Sequence, residues 1–244
     1  MFTIKNLSVQ VSGCQKQLLH DLSLSCDAGS VHAIMGPNGS GKSTLTHAIL
    51  GNPAYETQAD LVSFNDVNLI NLPVHKRAQM GIFVSFQNPY VLPGMQVFRF
   101  LKETYTAFTG QAIELAAFTQ KLHELLPLLG IQESFLTRNV NEGFSGGEKK
   151  RLEMLQLLLF QPKLVILDEI DSGLDIDGLN MVAEALVQFK KENPQAIIII
   201  ITHYSTILDY IVPDYVHILK SGTIVHSGDI SLAHTIQECG YDSF

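Results

Sequence analysis

Cysteine is scarce in this chain. Cys14, Cys26 and Cys239 are the three in 244 residues, and no two form a C-x-x-C pair. That pattern argues against a disulfide framework and a zinc site, and points to idle thiols in a reducing compartment. Three scattered thiols are also too few to hold an iron–sulfur cluster by Cys₄ ligation. Basic residues are few as well: 16 Lys and Arg stand against 24 Asp and Glu, for a formal net charge of −8. Broad nucleic-acid binding favours basic faces and is disfavoured here; only the run Lys149, Lys150, Arg151 leaves room for a local basic patch. No apolar run approaches the roughly 20 residues that span a bilayer. The longest reads AIIIII, Ala196 to Ile201. The N-terminal MFTIKNLSVQV lacks the basic n-region and apolar core of a signal peptide. There is no N-K-x-D guanine-reading motif, no internal repeat and no low-complexity linker. The expectation is a soluble, cytoplasmic protein, with any membrane contact made through a partner.

What is present is an ordinary globular balance, 46% hydrophobic and 16% charged, in a chain long enough to bury about three-quarters of its unfolded surface. The first 35 residues alternate apolar and polar positions and read as short strands. VHAIM then runs into a glycine-rich turn and a helix, KSTLTHAIL, stopped by Gly51 and Asn52-Pro53. From about Phe98 to Leu159 the apolar spacing turns helical, and no strand pattern interrupts it before Leu164. KLVILDE, a helix, QAIIIIITH, another helix and the closing strands YVHILKSG and TIVHSG complete the chain. Continuous β-branched runs alternating with helices imply a parallel sheet buried on both faces. The predicted fold is α/β with a mainly parallel sheet, an N-terminal antiparallel β part and a helical insertion. It forms one domain, 1–244, with a core subdomain over 1–90 and 160–244 and a helical subdomain over 91–159.

The turn Gly36-Pro37-Asn38-Gly39-Ser40-Gly41-Lys42-Ser43, followed by Thr44, satisfies G-x-x-x-x-G-K-[ST]. A chance match in a chain of this size is on the order of 1% from average residue usage, and a strand precedes it while a helix follows. Its glycines let backbone N–H groups curl around an anion at a helix N-terminus. Lys42 is placed for the β- and γ-phosphates and Ser43 for Mg²⁺. In LVILDE, four apolar residues deliver Asp168 and Glu169 to the carboxyl end of a strand, where α/β sheets bind ligands. Asp168 suits Mg²⁺ and Glu169 suits a general base for water. His203 and Gln87 also stand at strand ends. Each reads either as a structural residue or as a group reaching the γ-phosphate, the metal or the water. SGGE, Ser145 to Glu148, is a capping box. Its two glycines cost about 1–2 kcal/mol of helix propensity and leave the backbone amides open to an anion. The capping reading and a second phosphate surface both stand.

Taken together, these residues resemble the nucleotide-binding domain of ABC-type ATPases, in which Walker A, Q-loop (Gln87), signature (FSGGE), Walker B, D-loop (DSGLD) and H-loop (His203) follow in this order. The resemblance implies a P-loop NTPase fold, Mg²⁺-dependent ATP hydrolysis and a transient, ATP-dependent head-to-tail dimer. In such a dimer Ser145, Gly146 and Gly147 face the nucleotide of the opposite subunit, and Asp171 and Asp175 lie at the interface. The family usually offers an aromatic near the end of the first strand for adenine; Val11 stands in or near that slot. Within the family, GFSGGEKKR, DSGLDIDGL and ITHYSTILDYIVPDYVHIL are most similar to the SufC-type ATPases of iron–sulfur cluster assembly. That similarity implies SufB- and SufD-like scaffold partners. The alternative is the ATPase subunit of a membrane transporter, which differs in partner rather than chemistry. A non-hydrolysing nucleotide switch would have no use for Glu169 and His203.

Overall fold

A computed structural model describes the chain apart from Gln15, Asn88, Tyr204, Ser205 and Asp242. Part of the ITHYST stretch quoted above, and the residue after Gln87, therefore lie outside the described residues. The N-terminal strands are β1 (Phe2–Val11) and β2 (Gln17–Cys26), paired antiparallel. Their alternation slips once in each strand: Phe2 and Ile4 are buried, then Leu7 and Val9; Leu19 is buried, then Leu22 and Leu24. The slips fall at Asn6 (φ 50°) and Asp21 (φ 45°). A left-handed residue there inserts the bulge that resets the inward face. After β3 (Val31–Met35) and α1 (Lys42–Leu50), strands β4 (Tyr55–Gln58), β5 (Leu61–Phe64) and β6 (Val67–Asn68) join this antiparallel sheet.

A short helix α2 (Val74–Gln79) leads into β7 (Ile82–Ser85). Then β8 (Leu92–Gln96), α3 (Val97–Thr109), α4 (Leu115–Leu125), β9 (Asn139–Val140) and α5 (Gly146–Phe160) form the helical part. Here the structure corrects the expectation of uninterrupted helix: β9 pairs with β8 in a two-stranded sheet. Two residues are too few to show a period. The chain returns through β10 (Leu164–Asp168), α6 (Ile176–Glu192), β11 (Ile197–Ile201), α7 (Thr206–Tyr210), β12 (Tyr215–Lys220) and β13 (Thr223–Gly228). It continues, past the strands expected to close it, into α8 (Ile230–Cys239), capped by Asp229.

The central sheet has the order β13-β12-β3-β11-β10-β7 and is parallel except for β13. The runs of β10 and β11, and most of β3 and β7, are apolar because both faces are covered. Val165, Leu167, Ile198 and Ile200 pack against the helices. Ile34, Leu164, Ile166, Ile197, Ile199 and Ile201 pack against α1 and the antiparallel sheet. Each fully buried side chain of this size contributes about 1.5–3 kcal/mol of transfer free energy. The parallel order brings the carboxyl ends of β3, β7, β10 and β11 to one edge, which is where the sequence motifs sit.

One polar chain crosses this otherwise apolar sheet. Ser30 Oγ donates to Asp27 O at 2.7 Å and lies 2.8 Å from His32 Nε2; His32 Nδ1 lies 3.0 Å from His217 Nε2, and His217 Nδ1 lies 2.8 Å from Ser227 Oγ. Because the Ser30 hydroxyl proton goes to Asp27, its oxygen accepts from His32; burial disfavours a second proton on either ring, so His217 donates to His32 and Ser227 donates to His217. Both imidazoles are then neutral. Burial lowers the pKa of each, that of His217 to about 4.

Candidate nucleotide-binding and hydrolysis site

The loop between β3 and α1 is shaped by what its glycines lack. A Cβ on Gly36 would meet Leu219 O of β12 at 2.1 Å, so the loop lies directly on that strand. Gly39 (φ 76°) and Gly41 (φ 110°) take left-handed conformations that L side chains avoid. The far end of the loop is pinned by Gly222 N donating to Ser40 O at 2.9 Å. Lys42 is buried, and its ammonium donates to Gly36 O (2.9 Å) and Pro37 O (3.1 Å) across the loop. Burial lowers its pKa, opposed by Glu169 and Asp168 nearby. Ser40 Oγ is buried, with no hydrogen-bond partner among the described residues. Asn38, Gly39 and Ser43 are exposed, and Pro37 and Thr44 partly so. The result is a ring of open backbone with one buried cation beneath it, the shape and charge that accept a polyphosphate.

Asp168 closes β10 and is 4% exposed. Burial first, then the adjacent Glu169 charge, push its pKa up to about 6; Thr46, one turn beyond Lys42 on α1, bonds it and works the other way. Among the described residues its Oδ1 has no hydrogen-bond partner. A buried carboxylate oxygen left open beside a phosphate loop fits a divalent cation, and the side chains of Ser43 and Gln87 carry neutral oxygens of the kind Mg²⁺ takes.

Glu169 leaves the strand with φ 51°. That left-handed step sets its carboxylate between the side chains of Gln87 and His203. Gln87 Nε2 donates to Oε2 at 2.5 Å and His203 Nε2 to Oε1 at 3.1 Å. Two side chains from just past β7 and β11 thus meet on the carboxylate that stands just past β10. Behind them Thr202 Oγ1 donates to Asp171 Oδ2 at 2.6 Å, joining the H-loop to the D-loop. Asp175 caps α6 by accepting from Gly178 N at 2.8 Å. Thr46 and the Thr202–Asp171 bond were not singled out from sequence. Thr46 stands four residues after Lys42 on one helix face, which was the available signal.

The signature forms the expected capping box: Glu148 N donates to Ser145 Oγ (3.2 Å) and Ser145 N to Glu148 Oε2 (2.8 Å). Nothing lies within 4 Å of a Cβ built on Gly146. Arg138 pairs with Glu148, holds its pKa down, and stacks on Phe144 at 4.3 Å. Among the described residues, no hydrogen bond or ion pair joins Ser145, Gly146 or Gly147 to Lys42, Asp168, Glu169 or His203. The basic run beyond is not a surface patch. Lys150 is buried against Glu153 (3.1 Å), and Arg151 donates to Leu129 O (3.1 Å).

A cleft of about 320 Å³ opens beside the Gln87 loop, lined by Phe86, Tyr90, Leu92, Phe100, Lys149 and Glu153 among others. Tyr90 is 76% exposed at its rim. Among the described residues no helix is long and apolar enough to cross a membrane.

The ABC transporter family profile matches residues 19–172, from β2 through Walker B into the D-loop. The chain belongs to the ABC transporter ATP-binding family. It is 46% identical over 243 residues to the probable ATP-dependent transporter ycf16 of Pyropia yezoensis, covering 98% of this chain and 95% of that one. It is 45% identical over 246 residues to the probable ATP-dependent transporter slr0075 of Synechocystis, covering 99% and 94%. A dimeric, post-hydrolysis structure of the ATP-binding cassette MJ0796 with ADP and phosphate superimposes with a TM-score of 0.81. It is 19% identical, covers 94% of this chain and 99% of that chain, and shares the fold. This ABC ATPase is therefore an ATP-hydrolysing P-loop enzyme. Members of its family bind ATP with Mg²⁺, dimerise, and work with partner subunits, either transmembrane or scaffold.

Proposed function

We propose that this ABC ATPase is a SufC-type subunit of a cytoplasmic iron–sulfur cluster assembly complex, coupling ATP-driven dimer closure to a change in SufB- and SufD-like scaffolds. Gly173 is the observation that carries this reading. It sits at φ 70° in the D-loop Asp171-Ser172-Gly173-Leu174-Asp175. Transporter ATPases more often have S-A-L-D there, and alanine is strained in the left-handed region. This D-loop follows a backbone that suits its own S-G-L-D.

In this reading Gly36–Thr44 cradle the phosphates, with Lys42 neutralising them. Ser43, Gln87 and Asp168 hold Mg²⁺, which when bound supplies charge neutralisation on the phosphates. Glu169 takes a proton from the attacking water, aimed by Gln87 and His203. Ser145, Gly146 and Gly147 serve the nucleotide of the opposite subunit, because the Gly146 and Gly147 amides are open at the helix start and none of the three residues bonds to its own chain's Walker residues. The cleft beside the Gln87 loop receives the scaffold. The chain itself holds no cluster.

The second reading is a transporter ATPase, favoured by relatives named as probable ATP-dependent transporters. Purification at native abundance separates the two. Co-purification of soluble scaffold proteins supports the first reading, and co-purification of integral-membrane subunits in their place overturns it.

A further inference from the structure

Arg77 stands on α2, outside every motif so far used. It is 4% exposed, and among the described residues it forms no ion pair with a carboxylate. Its guanidinium is satisfied by backbone alone. Nη1 donates to Ala48 O (3.1 Å) and Ile49 O (2.6 Å), Nε to Leu72 O (2.9 Å) and Nη2 to Ile70 O (3.2 Å). Ala48 and Ile49 lie in the last turn of α1, where the i→i−4 ladder ends; Ala48 O also accepts from Gly51 N at 3.1 Å, so Arg77 adds to the cap. A cation there also meets the negative end of the helix dipole. The opposite end of α1 carries Lys42 and Ser43. At Gly51 a Cβ would meet the guanidinium at 2.6 Å, so the chain's exit from the helix is shaped around Arg77.

The other side of α2 is not idle. Val74, His75, Ala78 and Gln79 line a cavity of about 350 Å³ with Leu50 and Phe108. It shares Phe83, Val84 and Phe86 with the cleft beside the Gln87 loop. Arg77 is therefore the hard link between an apolar surface and the helix that presents the phosphate loop.

We propose that Arg77 is a positioning residue for nucleotide binding. It clamps the carboxyl end of α1 to α2 and so fixes the direction in which the phosphate loop points. A shift of α2 is then passed through Arg77 to Lys42. The proposal rests on the reading that Gly36–Ser43 binds the phosphates.

The test is ATP titration of the full chain by calorimetry, with steady-state hydrolysis, well below each variant's unfolding temperature. Arg77→Met should weaken ATP binding about tenfold, as expected when several bonds to a charged group are lost. The KM for ATP should rise in step while kcat stays within about twofold. Arg77→Lys keeps the charge but not the fork, and should fall between. Gly51→Ala displaces the guanidinium without removing it, and should resemble Arg77→Met. A folded Arg77→Met with lower thermal stability and wild-type affinity overturns the proposal, since that is what a purely structural arginine does. If Arg77→Met does not fold, wild-type affinity in both Arg77→Lys and Gly51→Ala overturns it. A wild-type chain that fails to bind ATP would instead sink the phosphate reading of the loop.

Discussion

Replacing Asp168 with asparagine should make the nucleotide-free protein more stable at neutral pH, although it removes a proposed metal ligand. The folded pKa of Asp168 is about 6 against an ordinary 3.8, and burial is the main cause. The folded state therefore keeps this proton to higher pH than the unfolded state does. Stability is fullest below about pH 3.8 and falls as pH rises through about 6, by about 3 kcal/mol in all. Asparagine abolishes that fall but brings an N–H into the place of Oδ1, which has no partner, at a cost of about 1 kcal/mol. The net gain is about 2 kcal/mol at pH 7.5, or about 4–8 °C in midpoint for a chain of this size. Thermal unfolding by circular dichroism in EDTA, from pH 4 to 8, measures it. The difference should shrink and reverse towards pH 4. An Asp168→Asn protein that is less stable at pH 7.5, or a difference that ignores pH, would refute the reasoning.

Glu169→Gln keeps the left-handed step and the contact with Gln87 but cannot take a proton. Turnover should fall at least about 100-fold, and gel filtration with ATP should show a trapped dimer; unchanged turnover removes Glu169 from the chemistry. His217 is neutral when folded, with its pKa lowered to about 4. Its contribution is complete above pH 6.5 and is lost as pH falls through about 4. This opposes Asp168 over the same window, so urea midpoints of His217→Gln are best compared in the Asp168→Asn background, where the acid-side slope should flatten. Cys26 is buried and its thiol is pushed up to about 12. Iodoacetamide on the native protein should label Cys14 and Cys239 only, by mass spectrometry, with Cys26 reacting after denaturation.

The phosphate loop, the Walker B acids and the capping box were legible because each depends on local backbone. Glycine, lysine and a capping serine do their work within a few residues of their own position. The central strands were legible for a related reason, since runs such as Ile197–Ile201 must be covered on both faces. What stayed hidden depends on partners far along the chain. Arg77, in VHKRAQ, looks like one more charge on a polar helix until α1 is placed beside it. Lys150 and Arg151 looked like a basic surface, and only packing shows one buried and the other bonded to a backbone carbonyl. The bond between Asp171 and Thr202 joins two loops that no spacing rule connects. α2 and β9 are too short for periodicity to show.

The contact between Gly36 and Leu219 says something about time. The phosphate loop is written early in the chain, yet the strand it lies on is β12, and the bond that pins Ser40 comes from Gly222. During synthesis the loop emerges complete long before its floor exists. A nascent chain halted before residue 219 would carry every residue of Walker A and still lack the surface that sets its curve. Nucleotide binding by this protein therefore reports that nearly the whole chain has been made and docked, and ATP could not hold a half-made ATPase in shape.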